Sequence, residues 1–167
     1  VALRGLPPLL TVRPEFRRLR EWLAAPPMSG ASANWPTLTG VAESARPYVV
    51  AALAQTQNTP TLYVVRDNEQ VSVAVETLTA LIGREFPVIP YLDRDALPYE
   101  RLMPDREAVK TRMHALTLLS AATSDLANPH PLLVVCSARA LTQPLMPRDE
   151  YMRLTVALKA GSRIEPR

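Results

Sequence analysis

A chain of 167 residues has the length of one domain, and at that size it buries roughly 68–70% of its unfolded surface, enough to fold without a disulfide or metal staple. Hydrophobic residues make up 47% and charged residues 21%. That balance excludes wholesale disorder, and the longest apolar runs, near 48–54 and 132–136, fall far short of the ~18 residues a membrane span needs. A formal net charge of +3 is too mild to mark a nucleic-acid binder. The single cysteine, Cys136, excludes an internal disulfide and a cysteine-based zinc site.

The chain starts at Val1 with no secretory apolar region, which suits a cytoplasmic protein. Starting without Met and stopping just after an apolar run, it has the pattern of a region cut from a longer polypeptide. Residues 14–25 predict a helix: Pro14 suits its first turn and Glu15 its positive end. Phe16, Leu19 and Leu23 share its apolar face, and Arg17, Arg18 and Arg20 form a solvated one. Residues 26–34 are small and proline-rich and read as a linker.

From Trp35 onward strands and helices alternate. Thr37, Leu38 and Thr39 can form a short strand ending at Gly40. Residues 44–57 predict a helix with Val49, Val50 and Leu53 inward. Thr61-Leu62-Tyr63-Val64-Val65 is a compact apolar strand. Asp67 or Asn68 caps the next helix, where Val71, Val75, Leu78 and Ile82 keep helical spacing and Gly83 ends it. Residues 87–91 form a short strand whose Pro87 and Pro90 place it at a sheet edge. Residues 93–104 read as loop. Asp105 caps a long helix with Val109, Met113, Leu116 and Leu119 inward. The run 132–136 is apolar throughout, as a strand covered on both faces should be. Short helices follow from Ala138 and from Arg148, and no internal repeat is visible.

Strands separated by helices predict βαβ crossovers and an α/β fold with a parallel sheet between two helix layers. Ligands of such sheets bind at the C-terminal strand ends, which points to the loops starting at Gly40, Arg66, Tyr91 and Cys136. The octamer Gly40-Val41-Ala42-Glu43-Ser44-Ala45-Arg46-Pro47 lies where a phosphate-binding loop, G-x-x-x-x-G-K-[ST], belongs. Gly40 matches the first glycine. Ala45 replaces the second and adds a Cβ where backbone approach must be close. Arg46 replaces the compact lysine. Pro47 offers neither an N–H nor a hydroxyl for Mg²⁺, and Glu43 puts a carboxylate where phosphate charge would sit. The octamer is either a degenerate Walker A loop or an ordinary strand–helix turn, and both readings argue against nucleotide binding here.

Other candidate chemistry is weak. His114 and His130 have no partner at metal-ligand spacing. Cys136-Ser137 lacks the G-x-S-x-G nucleophile elbow, so Cys136 reads as a small core hydrophobe. No Walker B carboxylate ends a strand. Asp93-Arg94-Asp95 and Asp105-Arg106-Glu107 read as surface and cap charges, and Trp22 and Trp35 as packing residues.

Four stretches in order carry a resemblance over nearly the whole chain. They are Leu38-Thr39-Gly40 through Arg46 with its helix, Leu97-Pro98-Tyr99-Glu100 followed by Pro104 and a helix to Leu119, Leu132 to Leu141, and Val156 to Ile164. Leu3-Arg4-Gly5-Leu6 also fits. Together they resemble the N-terminal UvrB-homology module of bacterial transcription-repair coupling factor. UvrB itself is similar in the same places but has an intact P-loop and an aromatic-rich DNA-holding hairpin. Here only 13 residues separate Tyr91 from Asp105, with one tyrosine, Tyr99.

The resemblance implies a RecA-like, P-loop-NTPase-type three-layer fold with a mostly parallel sheet and a degenerate Walker A loop at Gly40, Glu43, Ser44, Ala45, Arg46 and Pro47. It implies an N-terminal helix and linker over 1–34, the RecA-like subdomain over 35–160, and the start of a UvrA-docking domain over 161–167. The implied role is a non-catalytic scaffold supporting UvrA recruitment in transcription-coupled nucleotide excision repair. UvrA would bind through the adjoining domain, and RNA polymerase and DNA through the parent protein, an ATP-dependent translocase. Other domains of the same chain would pack on this one, with no membrane partner, metal, catalytic residue or cofactor in this stretch. ATP and Mg would serve the parent's motor. The alternative is a nucleotide-dependent DNA-binding subdomain of UvrB or helicase type.

Overall fold

The computed structural model describes residues 3–24, 36–94, 105–124, 129–156 and 161. Three strands, β1 (Thr61–Val65), β2 (Val88–Tyr91) and β3 (Leu133–Ser137), form a parallel sheet in the order β1-β3-β2. Thr61 lies opposite Leu133 in the first pairing, and Val88 opposite the same Leu133 in the second. The central strand is therefore the one whose sequence is apolar throughout, and every residue of it is buried. β2, with Pro90, lies at an edge as its prolines require.

Helices cover both faces. α3 (Arg46–Thr56) and α4 (Asn68–Ile82) pack on the face that carries Leu133 and Val135, around Ala51, Ala54, Val71, Leu78 and Ile82. α5 (Arg106–Ala122) and α6 (Ala138–Thr142) pack on the opposite face, around Ala115, Ala122, Ala140, Val134 and Cys136. This is the three-layer α/β arrangement the sequence predicts. α4 begins where Asp67 accepts the Gln70 N–H at 2.9 Å and ends at Gly83, whose φ of +106° suits only glycine. α5 begins at Asp105, which accepts the Glu107 N–H at 3.1 Å. α7 (Arg148–Leu154) closes the described chain, anchored by buried Tyr151.

An N-terminal arm of α1 (Pro8–Thr11) and α2 (Pro14–Ala24) lies against the α3/α4 layer. It is fastened by Leu3 N–H to the Ala80 carbonyl at 2.9 Å, by the Tyr48 hydroxyl to the Leu6 carbonyl, and by an exposed Arg4–Glu85 ion pair at 3.0 Å. Phe16 is buried on α2, but Leu23 is exposed, so the apolar face is shorter than its spacing suggests. The linker of 26–34 and Trp35 lie outside the described residues.

Several expectations are corrected. Residues 36–39 form no strand, because neither sheet edge pairs with them, and Leu38 is exposed. The expected helix over 44–57 is a 3-10 turn, Glu43–Ala45, running into α3. Its innermost residues are Ala51, Ala52 and Ala54, with Val49, Val50 and Leu53 only half-buried. On α5 the buried stripe is Ala108, Arg112, Ala115 and Ala122, and Val109 and Met113 face solvent. In both helices small alanines let the helix approach its neighbours, and the larger side chains lie at the margins. Among the described residues no helix is long and apolar enough to cross a membrane.

Candidate functional site

Three of the four loops singled out by topology do start at C-terminal strand ends, after Val65, Tyr91 and Ser137. The fourth, at Gly40, follows no strand, yet the structure brings it to the same end of the sheet. A cleft of about 1200 Å³ lies between Glu43, Ser44, Arg46 and Pro47 on one side and β1 with the start of α4 on the other. Arg46 and Arg66 line it together with Glu43 and Glu69, so its charge is mixed. Arg66 pairs with Asp67 at 2.8 Å. The Gln70 backbone N–H, followed by Arg66, holds the Asp67 carboxyl below its usual range. Burial raises the Tyr63 phenol above its usual value, opposed by Arg46 and reinforced by Glu43.

The loop's own backbone is engaged internally. The Ala45 N–H donates to the Ala42 carbonyl at 2.9 Å, and the Arg46 N–H to the Glu43 carbonyl. Pro47 has no N–H to offer. Gly40 has φ +75°, but open space surrounds the position its Cβ would take, so the turn alone accounts for glycine there. A phosphate cradle needs consecutive free N–H groups aimed at one point. Positions 45, 46 and 47 supply none.

A second polar constellation joins the ends of β2 and β3. The Asp93 carboxylate, 7% exposed, accepts from Asn68 Nδ2 at 2.6 Å, and Ser137 Oγ approaches it at 3.4 Å. Asn68 Oδ1 accepts the Asp93 N–H at 3.1 Å. Arg112, 4% exposed, donates through Nη1 to the Leu92 carbonyl at 2.8 Å and to Gln143 Oε1 at 3.0 Å. Gln143 Oε1 also accepts the Arg94 N–H at 2.9 Å. The side chains of Arg112, Asn68 and Gln143 thus hold Leu92, Asp93 and Arg94 in turn, as a neighbouring strand would. The Arg112 guanidinium stands 4.3 Å from the Tyr91 ring centroid, a cation–π contact. Burial lowers the Arg112 pKa and raises that of Tyr91.

Asp93 is therefore a buried anchor and not a surface charge, while Asp105 is the cap it was expected to be. Asp95, Leu97, Pro98, Tyr99, Glu100 and Pro104 lie outside the described residues. Sequence reasoning missed Arg112 altogether. Its signal was there: Ala108, Arg112 and Ala115 keep helical spacing, but the competing stripe of Val109 and Met113 is more apolar. Cys136 is fully buried, and burial raises its thiol pKa, as a core residue requires. Among the described residues no group of His, Cys, Asp and Glu could hold a metal ion.

A parallel sheet between two helix layers, with polar loops gathered at its C-terminal edge, defines a three-layer α/β domain, in agreement with a RecA-like fold. No family model matches the chain. It is 31% identical over 157 residues to the transcription-repair-coupling factors of Mycobacterium bovis and Mycobacterium tuberculosis, an alignment covering 92% of this chain and 12% of each relative. The chain is thus related to a region of the transcription-repair-coupling factors, and it spans about an eighth of the length of the relatives it matches.

Proposed function

We propose that this chain is a non-catalytic scaffold subdomain of a transcription-repair coupling factor. In this reading it supports recruitment of UvrA for transcription-coupled nucleotide excision repair, with the docking surface in the adjoining domain. The parent protein would be an ATP-dependent DNA translocase acting on stalled RNA polymerase, with ATP and Mg confined to its motor.

The observation that supports this most is the backbone of the Gly40–Pro47 loop. Its N–H groups at Ala45 and Arg46 are spent on its own turn and Pro47 lacks one. A loop built this way offers a triphosphate no free N–H at positions 45, 46 and 47, and Glu43 lines the cleft it would enter. The similarity over 92% of the chain to transcription-repair-coupling factors supplies the biological setting.

The test is a thermal melt with and without millimolar Mg-ATP, paired with a UvrA-binding assay on the full-length gene product. A ligand at 100 times its dissociation constant stabilises by about 2.7 kcal/mol, which at this size raises the midpoint by roughly 5–10 °C. The expected result is no shift, with UvrA retained by the full-length protein. A shift abolished by Arg46→Ala would overturn the scaffold reading in favour of a nucleotide-dependent DNA-binding subdomain. Failure to retain UvrA would overturn the recruitment role.

A further inference from the structure

Along the C-terminal half of α5 lies a groove remote from the loops at the strand ends. It holds about 280 Å³ between α5 and the segment 145–151, and Leu116, Leu119, Leu145, Met146 and Tyr151 form its apolar wall. Each polar side chain lining it already has a partner within the chain. The Tyr151 hydroxyl donates to the Met113 carbonyl at 3.1 Å and lies 2.5 Å from Thr117 Oγ1. Ser120 Oγ donates to Met152 Sδ at 3.0 Å, and Thr123 Oγ1 to the Leu119 carbonyl at 2.8 Å. Arg148 Nη2 donates to the Ser120 carbonyl at 3.3 Å, as a cation at a helix C-terminus does. What the groove offers a partner is therefore apolar contact.

The rim is apolar too. Residues 141–147 carry no charge, and Leu145 is 52% and Met146 45% exposed. Pro144 and Pro147 flank this pair and fix the backbone on either side of it. Further along α7 and just after it, Met152, Leu154 and Val156 are exposed as well. The volume falls below the roughly 300–1,000 Å³ of a small-molecule pocket and suits one or two large apolar side chains of a protein. A stable complex with a separate protein buries about 1,200–2,000 Å². A tethered partner needs far less, because a short flexible tether raises its effective concentration to the millimolar range.

We infer that this groove docks the part of a longer polypeptide that follows α7, through one or two aliphatic or aromatic side chains inserted between Leu116, Leu119, Leu145 and Met146. α7, which supplies Arg148 and Tyr151 to the groove, ends at Leu154, so the chain leaves beside the site. The relatives it matches are about eight times longer and have ample chain to fill it. The unbranched side chain of Met146 adapts its shape to what enters. The inference depends neither on UvrA nor on the state of the Gly40–Pro47 loop.

Methionine oxidation reads the groove directly, since a covered thioether reacts slowly with peroxide. Hydrogen peroxide is applied to the 167-residue chain at two protein concentrations and to the full-length gene product carrying this sequence, and sulfoxide is quantified by peptide mass spectrometry. Met146 lines the groove; Met113, also exposed on α5, lies outside it and is the internal reference. An effective concentration about ten times the dissociation constant leaves the groove open about a tenth of the time, so Met146 is expected to oxidise about tenfold more slowly in the full-length protein. Met113 should keep its rate. Leu145→Asp, at an exposed position, should move the melting midpoint of the chain alone by less than about 2 °C, yet return Met146 in the full-length protein to the rate of the chain alone. Equal Met146 rates in the two proteins would overturn the inference, as would equal slowing of Met113 or protection that survives Leu145→Asp. Protection of Met146 in the chain alone that rises with its concentration would overturn it too, by assigning the groove to a second copy.

Discussion

At the scale of single residues, the most consequential side chain is Arg112. It carries a charge into the buried side of α5, otherwise Ala108, Ala115, Ser120 and Ala122, where its Nη1 bonds Leu92 and Gln143 while Nη2 has no hydrogen-bond partner among the described residues. An unpaired buried donor is costly, but so is stripping the Leu92 carbonyl of its partner. Arg112→Ala is expected to lose about 2–4 kcal/mol in urea denaturation, because it leaves a cavity as well as unpaired acceptors. Arg112→Met fills the space and removes the unpaired donor, so it should lose less than half as much; equal losses would show that the guanidinium's bonds, and not its volume, dominate. Cys136 supports a pH prediction. Burial raises its folded pKa, so the unfolded chain releases the thiol proton first, above about pH 8.5. The stabilisation from keeping the thiol neutral is complete below that pH and is lost as pH climbs through the folded value. Tyr63 and Tyr91, also raised by burial, extend the loss beyond pH 10. The urea midpoint should fall between pH 8 and 9.5, and the slope should flatten in Cys136→Ala.

Single elements can be ranked by how fully their side chains are covered. Leu78 on α4 is completely buried against β3, so Leu78→Ala is expected to lose about 2–5 kcal/mol. Val109→Ala and Met113→Ala, on the exposed face of α5, should each stay within about 0.5 kcal/mol. That contrast also marks how far the sequence could be read. The three strands, their parallel pairing and the burial of β3 on both faces were legible because short apolar runs between polar breaks have few other uses. Asp67, Gly83 and Asp105 were legible because capping is local chemistry. The inward faces of α3 and α5 were not, because alanine carries almost no hydrophobic signal even where only alanine fits. The strand expected over 37–39 failed for a different reason: a strand exists only through its partner, and none of the described residues pairs with it. In the candidate site the octamer's departures from a P-loop were legible residue by residue. The Asn68–Asp93 and Arg112–Gln143 clamp was not, since it joins positions 25 and 31 residues apart.

For the molecule as a whole, the open question is how tightly the N-terminal arm belongs to the domain. The arm adds no strand and lies outside both core clusters, yet it reaches the α3/α4 layer at three points. The Leu3–Ala80 and Tyr48–Leu6 hydrogen bonds are each worth about 1 kcal/mol net. The Arg4–Glu85 pair is exposed and adds little in the presence of salt. Gly83 makes this junction specific: a Cβ there would sit 2.6 Å from Arg4 Nε and 2.8 Å from Glu85 Oε2, so the arm's first turn passes directly over the end of α4. Burial of Pro7 adds some apolar area. Removing residues 1–24 should therefore lower the melting midpoint by roughly 5–10 °C, corresponding to about 2–3 kcal/mol, while the far-ultraviolet signature of the α/β core remains. A smaller loss would make the arm an appendage that merely rests on the domain. Loss of cooperative melting altogether would make it part of the folding unit, with α3 dependent on the cover it provides.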